Sequence, residues 1–236
     1  LRFVRHLPHF GWQPLVLTAN ARAYERTSTD LLADVPAGTV VHRAFALDTA
    51  RHLALGGRYI ASMARPDRWI SWKIDAVRAG LRMIKTYRPD AIWSTYPIAT
   101  AHLIGAELHR RTGIPWLADF RDPMAQEGYP ADPLTWQCFM DIEKEAVGQA
   151  RFSVFTTPGA ARVYRQRYPE ASDRIVRTQT AAKGHTYLQV HSGGYIPEAI
   201  GCSECEVIDE EAAIHVDIHH AGCSICTVVD HLKTGC

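Results

Sequence analysis

The chain has 236 residues, of which 47% are hydrophobic and 22% are charged, as in an ordinary folded globular protein. It contains no run of about 18 apolar residues, so no membrane-spanning helix is predicted, and no secretory signal is visible. The net charge of +1 conceals two unlike parts. Residues 1–178 carry 24 Lys and Arg against 17 Asp and Glu, whereas residues 179–236 carry 2 against 8. This shift predicts two segments that meet near Thr178.

The beginning of the chain alternates between helical and extended patterns. The helical spacing of apolar residues within 1–7 predicts a short helix, which Gly11 is placed to end. Two short apolar runs, at 14–19 and 39–45, predict strands. The stretch 46–68 is weakly patterned, and no element is predicted there.

A longer amphipathic helix is predicted before Pro89, which stops it. Its predicted apolar stripe consists of Ile74, Val77, Leu81 and Ile84. Residues 90–95 then form a predicted strand, and residues 99–112 form a predicted helix that Gly113 closes.

The next part of the chain repeats the strand–helix alternation. Strands are predicted at 114–120 and 152–157 because both runs are short and apolar. A helix is predicted after each strand, one capped by Asp132 and the other by Thr157. In both cases a proline follows the cap and occupies the first helical position, where it is favoured.

This order of elements predicts an α/β fold. Short apolar strands that alternate with helices favour a parallel sheet covered by helices on both faces. We therefore predict a doubly wound, Rossmann-like domain over residues 1–178, with four strand residues buried in its sheet: Val16, Ile92, Leu117 and Val154.

Ligands of such sheets bind outside the carboxyl ends of the strands. The candidate site residues at those ends are Ser94, Thr95, Pro97, Asp119, Arg121, Asp122, Thr156 and Thr157. For most of them a structural interpretation stays open. Residues 94–97 can bind an anion with the backbone N–H groups at the start of a helix, or simply form a turn. Thr157 is first of all a helix cap.

Three stretches, in this order and spacing, resemble the N-terminal domain of family 4 glycosyltransferases: LRFVRHLPHFGWQPLVLTA, RPDAIWSTYPIATAHLIGAELHRRTGIPWLADFRDPM and ARFSVFTTPGAARVYRQRYPE. The resemblance covers about residues 1–175 and implies one half of a GT-B enzyme. In such enzymes this half holds the acceptor, and a second Rossmann-like domain holds the nucleotide sugar. Sugar passes to a polysaccharide or lipid acceptor in the cleft between them.

The resemblance also implies a setting. It points to a bacterial cytoplasmic enzyme of cell-surface polysaccharide or glycolipid synthesis, at the inner face of the membrane, with no nucleic-acid partner and no cofactor in the main domain. Basic residues on the predicted helices favour a peripheral membrane contact, although a solvated surface explains them equally well: Arg78, Arg82, Lys85, Arg110 and Arg111.

The chain departs from the family pattern at both ends. Relatives place a strand and a glycine-rich loop before the helix that starts here at Leu1, and a donor domain after the helix that precedes residue 175. Residues 179–236 do not resemble that donor domain. We therefore expect these 236 residues to lack sugar-transfer activity on their own.

Relatives often place a catalytic His near the position of Arg121. An arginine cannot act as a base near neutral pH, but it can bind a phosphate or carboxylate through two hydrogen bonds. Asp119 or Asp122 is then the candidate base. The alternative is purely structural, because Asp119 can pair with Arg121 while Asp122 forms a turn before Pro123.

The segment 179–236 is predicted to be a separate Cys- and His-rich tail. Its cysteines have the spacing C-x2-C-x17-C-x2-C, which is compatible with a structural zinc site: Cys202, Cys205, Cys223 and Cys226. The CSEC and CSIC pairs lack the glycine usual in zinc knuckles. Disulfides or an artificially joined sequence are the alternatives.

Three functions remain open on the sequence alone. The first is the acceptor domain of a glycosyltransferase. The second is a non-enzymatic Rossmann-like scaffold with a zinc-binding or interaction tail. The third is another Rossmann-like ligand-binding protein whose likeness to glycosyltransferases is limited to the fold.

Overall fold

The structure is a computed structural model that describes residues 2–28, 32–180, 186–189 and 223–228, with side chains for 3–28 and 32–177. The helices are α1 (Arg2–His6), α2 (Thr49–His52), α3 (Trp72–Tyr87), α4 (Ala99–Thr112), α5 (Pro133–Gln149) and α6 (Pro158–Arg167). The strands are β1 (Trp12–Ala19), β2 (Val40–Ala44), β3 (Ala91–Thr95), β4 (Trp116–Arg121), β5 (Phe152–Phe155), β6 (Ile175–Thr180), β7 (Thr186–Gln189) and β8 (Cys223–Val228).

All of these strands belong to one sheet, in the order β2-β1-β8-β3-β4-β5-β6-β7. Every neighbouring pair is parallel except β6 and β7, which are antiparallel. The predicted α/β fold with a parallel sheet is therefore confirmed. The fold is compatible with a Rossmann-like arrangement.

Two strands of the sheet come from the predicted tail. Strand β7 extends one edge of the sheet, and β8 lies in the middle, between β1 and β3. Trp12 pairs with Cys223 on one side of β8, and Ala91 pairs with Ile225 on the other. The two segments that the charge pattern distinguishes thus share one sheet. That they form two separate domains stays a prediction.

Helices flank the sheet because successive strand residues point to opposite faces. Leu15 belongs to a large buried cluster that also contains residues of α3 to α6. The next residue, Val16, packs with Val4 of α1 in a separate cluster. The sheet is therefore covered by apolar side chains from both directions.

Three of the four predicted strand residues are buried, namely Val16, Ile92 and Val154. The prediction for Leu117 is wrong, because this side chain is only half-buried. Leu117 packs in a small cluster around Trp93, to which Phe3 contributes a partly buried ring. The short α1 covers this face less completely than α3 to α6 cover the other.

Helix α3 ends before Pro89 as predicted, and three residues of its predicted stripe, Val77, Leu81 and Ile84, are buried or pack against the core. Its predicted stripe included Ile74, which is 63% exposed. The buried residues of α3 include three with little or no side chain, Ala76, Ala79 and Gly80. A Cβ atom at Gly80 would come within 2.8 Å of Leu108 in α4. The buried face of α3 thus combines this close approach to α4 with the large apolar side chains of Trp72, Val77 and Met83.

The predicted helix starts are confirmed in detail. The Asp132 side chain accepts a hydrogen bond from the Thr135 backbone N–H, and the Thr157 side chain accepts one from Ala160. Gly11 ends the first helical stretch with a φ of 77°. None of the helices described here is long and apolar enough to cross a membrane.

Candidate functional site

Asp119 lies near the carboxyl end of β4 with its side chain almost fully buried. The Thr95 hydroxyl on the neighbouring strand β3 donates a hydrogen bond of 2.9 Å to its Oδ2. Burial raises the pKa of Asp119 to about 6, although the hydrogen bond from Thr95 and the charge of Arg121 oppose the rise. A carboxyl group of this kind exchanges its proton near neutral pH, as a general base must.

Arg121 occupies a strained position directly after Asp119. Its φ is 62°, in the left-handed region that non-glycine residues rarely adopt, and the β4–β5 register shifts at this point. The Asp122 N–H donates a 2.6 Å bond to the carbonyl of Phe120, which closes a tight three-residue turn around Arg121. Such strain costs about 1–3 kcal/mol and is common at binding sites.

Thr156, directly after β5, holds this turn in place. Its backbone N–H and its hydroxyl both donate to the carbonyl of Arg121, at 2.9 and 2.7 Å. The Arg121 guanidinium lies 3.5 Å from the Tyr96 carbonyl and is otherwise directed to an exposed surface. The structure thus brings Thr95, Asp119 and Arg121 together at one edge of the sheet, with Thr156 supporting them.

Tyr96 connects this edge to a second group of polar side chains. Its hydroxyl is hydrogen-bonded to Tyr129, and the carboxylates of Asp67 and Asp122 lie within electrostatic reach. Burial, followed by these neighbours, raises the pKa of Tyr96 well above its ordinary value. Asp122 is therefore part of the same polar surface as Arg121.

The start of α4 is occupied by a carboxylate. Asp67 accepts hydrogen bonds of 2.8 Å from the Thr100 backbone N–H and 2.9 Å from the Thr100 hydroxyl. Burial raises the pKa of the Asp67 carboxyl. The residues before α4 were predicted to offer an anion-binding helix start, but Asp67 already supplies the negative group there. Pro97 is exposed at this turn.

Ser94 lies in the core rather than at the edge. Its hydroxyl oxygen lies 2.7 Å from His102 Nδ1 and accepts a 2.8 Å bond from Trp116 Nε1. Burial lowers the pKa of His102 to about 3, so the imidazole is neutral at physiological pH. A neutral imidazole can donate to or accept from the Ser94 hydroxyl through Nδ1, according to its tautomer, while Nε2 is buried without a hydrogen-bond partner. Ser94 is thus a polar bridge between β3, α4 and β4.

Glu143 is a second buried polar centre that the sequence does not reveal. It is 0% exposed and accepts hydrogen bonds from the Tyr164 and Tyr168 hydroxyls, from Arg167, and from the Ala125 backbone N–H. This cluster fastens the chain that follows Asp122 to α5 and α6. It therefore fixes the loop that carries Tyr129.

The predicted zinc site lies largely outside the described residues. Cys202 and Cys205 are not described, and Cys223 and Cys226 are described only as backbone in β8. Within the described part of the chain, no group of three or more His, Cys, Asp or Glu side chains is arranged to hold a metal ion. Structural zinc in the tail stays a prediction.

Comparison with known proteins does not show a family for this chain. No protein-family model matches the chain, and no curated protein matches it. The resemblance to family 4 glycosyltransferases therefore stays a prediction from the sequence.

The raised pKa of Asp119 has a measurable consequence for stability. Its folded-state pKa of about 6 exceeds the ordinary value of 3.8, so the unfolded chain ionises first as pH rises. The free energy of unfolding should therefore fall by roughly 3 kcal/mol between about pH 4 and about pH 7, relative to an Asp119→Asn variant. Urea unfolding of both proteins across this range measures the difference.

A second variant checks that this titration belongs to Asp119. Thr95→Val removes the donor that stabilises the ionised carboxylate and raises the folded-state pKa further, so the fall in stability should begin at the same pH, where the unfolded chain ionises, and extend to higher pH. Unfolding free energies of wild type and Asp119→Asn that run parallel at every pH would contradict the assignment.

Proposed function

We propose that this sheet edge binds the acceptor of a nucleotide-sugar-dependent glycosyltransferase with a GT-B plan. Sugar would be transferred from a nucleotide donor, held by a second domain, to a glycan or lipid acceptor held here. The proposal rests on the sequence resemblance together with one structural observation. That observation is the proximity of a buried carboxyl group of raised pKa, Asp119, to an arginine on a strained turn, Arg121.

This arrangement suits acceptor binding for two chemical reasons. A glycosyl acceptor must lose a hydroxyl proton, and a carboxylate with a pKa near neutrality can receive it. Many lipid and glycan acceptors also carry phosphate or carboxylate, which an exposed arginine binds through two hydrogen bonds. Asp122 is the alternative base, since it follows Arg121 and reaches the same polar surface.

The fold supplies the remaining support. Thr95, Asp119 and Arg121 lie at the carboxyl ends of parallel strands, where sheets of this type bind ligands. Thr156 fixes the backbone of Arg121, so the guanidinium is presented from a defined turn rather than from a loose loop. The setting we propose is bacterial, with synthesis of cell-surface polysaccharide or glycolipid at the inner face of the membrane.

Arg121→Ala tests the proposal through binding of a defined probe. We expect the full chain to bind a short-chain alkyl glycosyl phosphate more tightly than the matching neutral alkyl glycoside. The substitution should weaken phosphate-probe binding roughly tenfold to a hundredfold, since hydrogen bonds to charged groups contribute about 1.5–3 kcal/mol. Isothermal titration calorimetry with both probes measures the effect.

Arg121→Gly is the matched control for backbone strain. Glycine adopts a φ of 62° without the steric cost that arginine has there, so this variant should unfold at a higher temperature while losing the same probe affinity. If Arg121→Ala instead lowers stability by several kcal/mol and leaves probe binding unchanged, Arg121 has a structural role and the proposed acceptor site is wrong.

A further inference from the structure

An exposed apolar segment, residues 51–63, lies in the connection from β2 to α3 and has no role in the site described above. Its large apolar side chains that are exposed are Leu53, Leu55, Tyr59, Ile60 and Met63. The exposed fraction reaches 89% at Leu55 and 68% at Ile60. Contiguous apolar exposure of this kind marks an interaction surface, because single scattered residues would need no explanation but a cluster is costly in water.

The tip of this segment is a fixed turn. The backbone N–H groups of Leu55 and Arg58 each donate to the carbonyl of the other residue, at 2.8 and 3.1 Å. Gly56 and Gly57, between them, both have positive φ, at 58° and 76°, as a type I′ hairpin turn requires. The turn therefore holds Leu55 outward in a defined conformation.

The base of the segment is anchored to the domain. The Thr49 N–H donates a 2.9 Å bond to the Arg68 carbonyl, and the Arg68 guanidinium forms an ion pair with the buried Asp48 carboxylate. Asp67, next to Arg68, reaches the start of α4 at the candidate site. The base of the segment therefore lies near the edge of the sheet that carries Asp119.

The charges of the segment all have one sign. Residues 49–66 contain Arg51, Arg58 and Arg65 but no Lys, Asp or Glu. Arg65 pairs with Asp132 at 3.2 Å. No acidic side chain among the described residues forms an ion pair with Arg51 or Arg58. These two arginines flank the apolar tip and are complementary to a negatively charged surface.

We propose that residues 51–63 form a membrane-docking loop. Leu55 and Ile60 enter the headgroup region of an anionic bilayer, while Arg51 and Arg58 contact the lipid phosphates. Apolar residues flanked by arginines have the composition that binds such interfaces, where burial and attraction to anionic lipid act together. Docking does not depend on sugar transfer, but if the proposed function also holds, it assigns the acceptor to the lipid-linked class.

The test is sedimentation of the full chain with vesicles of phosphatidylcholine, with and without phosphatidylglycerol. We expect binding to the anionic vesicles, and weaker binding to the neutral ones. Arg51→Ser with Arg58→Ser should weaken binding to the anionic vesicles by about fivefold for each arginine removed. Leu55→Ser and Ile60→Ser should each reduce it by a similar factor, since each removes apolar area that would leave water.

Two matched controls lie on α3. Ile74 is 63% exposed and comparable to Ile60, so Ile74→Ser should leave vesicle binding unchanged. Arg78→Ser with Arg82→Ser removes the same charge from the basic surface of α3, which is the alternative membrane contact, and should have little effect; a loss equal to that of the loop arginines would place the contact on α3 and overturn the docking loop. Equal losses for Ile60→Ser and Ile74→Ser, or no binding of wild type to anionic vesicles, would overturn the docking loop. Asp119→Asn should bind vesicles like wild type, which separates this test from that of the acceptor site.

Discussion

Replacing Gly105 with alanine should lower the free energy of unfolding by about 3 kcal/mol, through overpacking and loss of a buried hydrogen bond. A Cβ atom at this position of α4 would lie 2.6 Å from Trp116 Nε1 and 2.9 Å from Ser94 Oγ. These two atoms are hydrogen-bonded to each other, and His102 packs against the same group. Urea unfolding of the variant measures the loss.

Gly148→Ala is the control for Gly105→Ala, because Gly148 also lies in a helix and an added Cβ would meet no atom within 4 Å beyond its chain neighbours and the backbone of its own helix. Alanine has a higher helix propensity than glycine, so this variant should gain up to about 1 kcal/mol. If both variants change stability by the same amount and sign, the tight packing around Ser94 is not the reason for glycine at Gly105.

Glu143→Ala should destabilise the domain by about 3–5 kcal/mol, the cost of breaking a buried charged network by removing one partner. The carboxylate is the common acceptor for Tyr164, Tyr168, Arg167 and a backbone N–H. Its loss leaves two tyrosine hydroxyls and one backbone donor without their acceptor in the core. Thermal and urea unfolding both report the change.

Glu145, two residues later on the exposed side of α5, provides the control. Glu145→Ala should change stability by less than about 0.5 kcal/mol, as surface substitutions usually do. Glu143→Gln retains an acceptor oxygen and should lose less than Glu143→Ala. Equal stability of Glu143→Ala and Glu145→Ala would show that the buried network contributes nothing.

Local signals in the sequence predicted most helix and strand positions. The Asp132 and Thr157 side chains each accept a hydrogen bond from the backbone N–H three residues later, so a short stretch of sequence is enough to predict where each helix begins. Apolar runs such as 14–19 likewise predicted buried parallel strands. The failure at Ile74 has a non-local cause, because the buried face of α3 includes Gly80, which packs closely against Leu108 of α4, and no local pattern reveals that contact.

The sequence predicted where the candidate site lies but not all of the residues that form it. Asp119 and Arg121 directly follow an apolar run, and the rule for parallel sheets locates them at the binding edge. Asp67 acts at α4 through a contact with Thr100, far along the chain, and no local pattern reveals it. The prediction placed Ser94 at the edge of the sheet because it ends an apolar strand. Its position in the core depends on contacts with His102 and Trp116, which no local pattern around Ser94 reveals.

Because β8 lies between β1 and β3, the sheet cannot be completed until residues 223–228 have been synthesised. Strands β1 and β3 both need β8 as a neighbour, yet β8 leaves the ribosome long after them. Without β8 the sheet is divided into two parts, β1 with β2 and β3 with its successors, each with an unpaired edge at its inner strand. Such edges pair readily with foreign strands, and contacts so distant in sequence form slowly. The nascent chain is therefore most vulnerable to aggregation while residues 223–228 are still being made, and a chaperone that shields those edges would raise its folding yield.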